Sequence, residues 1–348
     1  MRSFLRHVFS IGKIDDSRLQ WIDLAKGLAI AMIVYRHTIT GIWDAGIPMD
    51  FLYYDISVQV GLTFRMPLYF MLSGIFFRRS VQKRGPLGYT MHKVNTIMYP
   101  YFVWSIILMT LQMIFSNYVN GQFTTLSDWA TMFYDPWGHW WFLYVLFVVS
   151  VLYMSLDHVL KGNKQLILLI CVVLFFLSYW IGDIYLLDDI LELIVFFALG
   201  DVVASFAIKL EESTLLTNKI ALAGIFALAI TGEYLLFQYF RDSPLPILVF
   251  ACVGISAAAM LCALFAKSKT KAKRILRLLG QHSLYIYLLH AFAAPAMRVL
   301  LNRVFGIEEL YILVPLCFIS GVLVPILVYR AITYFGGSFL FALNYPRS

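Results

Sequence analysis

The sequence predicts an all-α membrane protein, a polytopic bundle of about ten transmembrane helices with both termini cytoplasmic, and three observations carry that prediction. Of the 348 residues 61% are hydrophobic and only 14% charged, and the mean hydropathy is +0.79, a composition that excludes a water-soluble globule. Ten apolar stretches are long enough to cross a hydrocarbon core about 30 Å thick. Lysines and arginines gather in alternate loops between those stretches, as they do where they are retained on the cytoplasmic side.

In order, the stretches are 22–41, 58–77, 95–116, 139–156, 165–182, 187–208, 220–240, 245–266, 281–300 and 310–331. Each is read as a helix, because a helix satisfies its own backbone within lipid. Barrel strands would alternate apolar and polar residues, whereas 145–149 and 166–177 are apolar on every face. The first stretch carries Asp23, Lys26, Arg36 and His37, and the second carries Arg65 and the small pair Ser73-Gly74, which lets another backbone or a ligand approach. The fourth opens with Gly138-His-Trp-Trp-Phe-Leu143, where tryptophans serve as interfacial anchors. The sixth holds Asp188, Asp189, Glu192 and Asp201, and the ninth places His290 close to mid-membrane, roughly 15 Å along its helix by the helical rise.

With the N-terminus inside, cations on the cytoplasmic side fall in 1–21, 78–93, 157–165, 209–219, 267–277 and the C-terminal end, and only Arg241 and Arg303 lie outside. Lys26, Arg36, Arg65 and Arg298 remain within spans. The net charge of +7 is therefore topological, and a nucleic-acid patch is not expected from charges spread over loops. No apolar run before Lys13 is long enough for a secretory signal. Cys171, Cys252, Cys262 and Cys317 all lie in apolar segments without metal-ligand spacing, so neither a metal nor a structural disulfide is expected. The expected organisation is a cytoplasmic segment over 1–21, one transmembrane domain over 22–331 and a cytoplasmic tail over 332–348.

Polar groups at membrane depth must be paired, line a wet cavity or act. From Lys26 to His37 is a step of eleven residues, roughly 1100° of helical rotation, so the ammonium and the imidazole share one face about 16 Å apart. Helix pairing is the structural alternative for His37 and His290, and snorkelling to the inner interface is the alternative for Lys26. Arg36 is turned about 100° from His37 and is expected to meet an acid or the outer headgroups.

The run Trp21-Ile-Asp-Leu-Ala-Lys-Gly27 leading to His37, together with Phe64-Arg-Met-Pro-Leu-Tyr-Phe-Met-Leu-Ser-Gly74, Trp141-Phe-Leu143 and Ser283-Leu-Tyr-Ile-Tyr-Leu-Leu-His290, resembles the acyltransferase-3 family of integral membrane acyltransferases. That family includes O-acetyltransferases of bacterial cell-surface glycans, and the resemblance spans nearly the whole chain in the right order. Two positions depart from the common pattern. Lys26 stands where many members have Arg, keeping the charge and losing the bidentate fork, and Arg65 stands where many relatives carry His.

The resemblance implies transfer of an acyl group, usually acetyl, from cytoplasmic acetyl-CoA or another acyl-CoA to a hydroxyl of a cell-surface glycan or its lipid-linked precursor. It implies residence in the bacterial cytoplasmic (inner) membrane, among membrane lipids. Its catalytic residues would be His37 and Lys26. His37 fits a general base, because imidazole titrates near neutrality. Lys26 with Arg78, Arg79 and Lys93 would hold the coenzyme A phosphates through charge-assisted bonds, and Arg65 or a backbone donor near Ser73 would stabilise the oxyanion. Trp141 and His290 complete the substrate- or cofactor-binding set. A transporter or flippase for a glycan or acylated metabolite is the alternative, since it too has many spans and intramembrane charges.

Overall fold

The computed structural model describes residues 19–59, 61–114, 126–134, 136, 138–182, 184–240 and 242–343. The segment expected to be cytoplasmic over 1–21 therefore lies mostly outside the described residues. The described residues form helices α1 (Gln20–Asp44), α2 (Phe51–Gln59), α3 (Leu62–Ile75), α4 (Phe77–Lys93), α5 (Tyr99–Ile114), α6 (Trp141–Val159), α7 (Lys164–Ile181), α8 (Leu187–Ile208), α9 (Lys219–Tyr239), α10 (Pro244–Ala266), α11 (Lys271–Gln281), α12 (Ser283–Val299) and α13 (Leu310–Tyr334). Short π-helical turns, Val94–Met98 and Leu300–Val304, join α4 to α5 and extend α12.

Eight helical stretches among the described residues are long and apolar enough to cross a membrane: Phe77–Leu111, Trp141–Val159, Lys164–Ile181, Leu187–Ile208, Lys219–Leu236, Pro244–Ala266, Ser283–Val304 and Leu310–Tyr334. They correspond to eight of the ten stretches read from the sequence. The first stretch is also a helix, and at 25 residues α1 is long enough to span, but Asp23, Lys26, Arg36 and Asp44 dilute its apolar run. The second differs from the expectation of one span over 58–77. Helix α2 ends at Gln59, Gly61 adopts φ +66°, and the 14-residue α3 begins afresh. Left-handed backbone of that kind is open to glycine at little cost and interrupts a helix.

Two cation-rich loops inferred from charge are also helical. Residues 78–93 belong to α4, interrupted where Gly85 takes φ +71° just before Pro86, and most of 267–277 belongs to α11. Neither carries an apolar run, so hydropathy is silent about them.

The chain divides into two compact units, Met1–Arg65 with Thr110–Phe123 and Leu261–Phe339, and Met66–Met109 with Thr124–Met260 and Leu340–Ser348. In the first, α1 packs against α11, α12 and α13. A Cβ on Gly27 would overlap the Leu276 carbonyl, and one on Gly280 would overlap the carbonyl of Asp23, so α1 and α11 cross backbone to backbone. Ser320 Oγ donates to the Ala293 carbonyl at 3.1 Å and ties α13 to α12. Buried Arg298 donates to the Gly41 carbonyl and ties α12 to α1. Ile42, Ile47, Leu301, Leu313 and Cys317 form a core at that end of α1.

In the second unit, α8 packs against α6 and α7. Gly74 and Gly200 let α3 and α8 touch through their backbones, which is the helix-packing use of a small residue. Phe77, Tyr89, Tyr153 and Phe197 interlock edge to face and tilted beside that crossing, with ring centroids 4.9–5.9 Å apart. Part of the expected tail packs here: Trp104 Nε1 donates to the Leu340 carbonyl at 3.0 Å, and Phe341 stacks at a tilt on Trp104. Large apolar side chains such as Trp180, 87% exposed, and Ile220, 86% exposed, face outward, as lipid-facing helices require.

Candidate active site

Lys26 and His37 both lie on α1, which runs without interruption from Gln20 to Asp44, so the eleven-residue step keeps the helical geometry read from the sequence. Both side chains are half-buried. The Tyr35 hydroxyl, two residues before His37, donates to Ser57 Oγ on α2 at 3.1 Å and helps hold this part of α1.

Opposite His37 stands His290 on α12, with ring centroids 5.3 Å apart and the rings inclined at 43°. His290 is 1% exposed. Its Nδ1 lies 2.8 Å from the Tyr287 carbonyl and 3.1 Å from that of Ile286. Carbonyl oxygens only accept, so the hydrogen sits on Nδ1 and is shared between them. In the neutral ring Nε2 is then the lone-pair nitrogen, and the tautomer of His290 is set by its own helix. Two histidines 253 residues apart in sequence, one half-buried and one buried, are thus brought side by side.

Arg65, at the start of α3, is 3% exposed and donates through Nη1 to the Val58 carbonyl at 3.4 Å. Arg36 and Arg65 both lie within electrostatic range of the His37 ring. Arg36 forms no ion pair with a carboxylate among the described residues, which leaves the outer headgroups of the two partners expected for it; its electrostatic neighbour is Tyr54. With His290, three basic side chains thus lie within electrostatic range of the His37 ring.

Five further residues singled out by the sequence belong to the second unit, among them Lys93 at the end of α4, whose Nζ lies 5.4 Å from the Tyr89 ring centroid. Ser73 is half-buried on α3 beside Gly74, and Trp141 is half-buried at the first turn of α6. Arg79 is exposed on α4. Arg78 is engaged: Nε donates to both carboxylate oxygens of Asp201, at 3.0 and 2.9 Å, and Nη2 meets Asp157 at 3.0 Å. Asp201, 1% exposed, also receives the Tyr153 hydroxyl at 2.9 Å and Lys164 Nζ at 3.2 Å. A phosphate seeking Arg78 competes with two carboxylates already in place.

The sequence marks Asp23 and Asp201 as intramembrane acids and assigns them no role. Asp23, 4% exposed, accepts from Gln281 Nε2 at 2.9 Å and lies 4.0 Å from Arg277 Nη2, so it anchors α11 to the helix that carries Lys26 and His37. The available signal was the Trp21-Ile-Asp-Leu-Ala-Lys-Gly27 run, which places Asp23 and Gly27 four residues apart on one face. Among the described residues no group of three His, Cys, Asp or Glu is placed to hold a metal ion. A family model described as an acyltransferase domain matches residues 19–330 of the chain. No curated protein and no solved structure matches it.

Proposed function

The chain belongs to the acyltransferase-3 family and is a membrane acyltransferase, and on that premise we propose that it moves an acyl group, acetyl in the first instance, from cytoplasmic acyl-CoA to a hydroxyl of a cell-surface glycan or its lipid-linked precursor. It would do so in the bacterial inner membrane, with both termini on the cytoplasmic side. His37 takes the proton of the acceptor hydroxyl, the freed oxygen attacks the thioester carbonyl, and the C–S bond breaks. The sulfur leaves as coenzyme A thiol, taking back a proton, so one ester replaces one thioester.

The observation that supports this reading most is the His37–His290 pair, 5.3 Å between centroids. His290, with its Nδ1–H held by helix carbonyls, keeps a fixed ring orientation beside the base. Arg65 supplies positive potential for the tetrahedral oxyanion, whereas the backbone amides near Ser73 lie inside α3 and are already committed to its own carbonyls, which removes the donor expected there. Lys26, Arg79 and Lys93 are assigned to the coenzyme A phosphates, with Arg78 contributing less because its carboxylates hold it. Trp141 is assigned to the acceptor, as a flat face on which a sugar ring can rest.

The test is purified protein in proteoliposomes supplied with acetyl-CoA. Time-dependent release of free thiol that requires a glycan acceptor, with a matching mass increment on one sugar, supports the proposal. Saturable binding or transport with the thioester intact would overturn it in favour of a transporter.

A further inference from the structure

We propose that the exposed face of α11, together with the four residues leading into it, is a binding site for anionic phospholipid headgroups. Helix α11 lies between two membrane spans: residues 267–270 connect it to α10, and His282 alone separates it from α12. A helix so short of connecting chain stays at the membrane surface. Its N-terminus is built to start there, since Thr270 Oγ1 accepts from the Lys273 amide at 3.3 Å.

The six cations of this segment divide into two sets. Lys273 donates to the Ala266 carbonyl at the end of α10, and Arg277, 5% exposed, faces Asp23. Those two serve the fold. Lys267, Lys269, Lys271 and Arg274 are exposed, and none of the four forms an ion pair among the described residues. The side of the helix packed toward α1 carries Arg277 and Gly280. The opposite side joins Lys271 and Arg274 to Ile275, which lies one turn after Lys271 and next to Arg274 and is 57% exposed. Cations flanking an exposed apolar residue on a surface helix match a phospholipid leaflet, with the isoleucine entering the acyl boundary and the cations meeting phosphates. A soluble phosphate would satisfy the charges and leave Ile275 in water.

The test uses the full-length protein in detergent, titrated with phosphatidylglycerol or phosphatidylcholine of the same chains and followed by native mass spectrometry. The expected result is a preference for phosphatidylglycerol of about tenfold or more, reduced to about twofold in the variant Lys267→Gln, Lys269→Gln, Lys271→Gln, Arg274→Gln. Should that variant fail to fold, Lys271→Gln with Arg274→Gln alone is expected to lose severalfold. Wild-type protein without the preference, or a folded variant that keeps it, overturns the proposal. Glycerol 3-phosphate or acetyl-CoA displacing the lipid at millimolar concentration also overturns it, assigning the face to free phosphate or to the acyl donor. Acceptor-dependent thiol release is read separately, so failure here leaves the acyltransferase reading untouched.

Discussion

Gly27 on α1 and Gly280 on α11 each occupy the space that the other's side chain would need: the Gly280 nitrogen lies 3.2 Å from a Cβ placed on Gly27, and the Gly27 nitrogen lies 3.0 Å from one placed on Gly280. The neighbours are backbone atoms on both sides, so neither can swing away. Gly27→Ala or Gly280→Ala is expected to destabilise the protein by about 1–3 kcal/mol, the usual cost of overpacking. Gly224→Ala on α9, where a Cβ meets nothing within 4 Å, is expected to be neutral or stabilising by up to about 1 kcal/mol. Thermal unfolding of the detergent-solubilised variants reads both, and equal melting temperatures for the three would contradict the crossing.

The His37–His290 pair predicts the outcome of substitutions at both positions. His37→Ala and His37→Gln both remove the base and are expected to lower acyl transfer by about 10²-fold or more while leaving acyl-CoA binding in place. At His290, an Asn amide can still donate to the Tyr287 carbonyl but lacks the Nε2 lone pair, so His290→Asn is expected to fold normally and lose activity. His290→Asn with full turnover would reduce His290 to a helix strut.

Asp201 is 1% exposed and is held by Arg78, Lys164 and Tyr153. Asp201→Asn keeps the shape and removes the charge. Breaking a buried pair from one side costs about 3–5 kcal/mol, so a large fall in melting temperature is expected. Arg78 and Lys164 are partly exposed, which places the effect toward the lower end of that range. A variant as stable as the parent would show the network to be dispensable.

Arg78 and Arg79 are adjacent and predict opposite behaviour. Arg79, exposed on α4, is expected on substitution by Gln to keep the melting temperature and raise KM for acyl-CoA severalfold, as the loss of one phosphate contact would. Arg78→Gln is expected to lower the melting temperature first, because Asp157 loses its cation and Asp201 loses one of its two. Steady-state kinetics beside unfolding curves separates the two, and the reverse pattern would exchange their roles.

Much of the fold was legible because hydropathy acts locally. A stretch such as 166–177 is apolar on every side and reads as a span whatever surrounds it. The break between α2 and α3 was not legible, since Gly61 in an apolar run looks like any glycine until its φ is known. Helix α11 was hidden for a related reason: its cations registered as loop charge, and only their alternation between Asp23 and open surface shows a helix with two faces.

By itself the sequence determined the class of molecule, the order of its spans, the family resemblance and the single-helix relation of Lys26 to His37, because each depends on residues near one another along the chain. The tertiary structure decided what the isolated polar residues do. It set His290 opposite His37, committed Arg78 to Asp201 and Asp157, and made Asp23 the anchor of α11. Those partnerships join residues far apart in sequence, and a charge within a span has no local signal that says which of the distant opposite groups the packing of helices will bring to it.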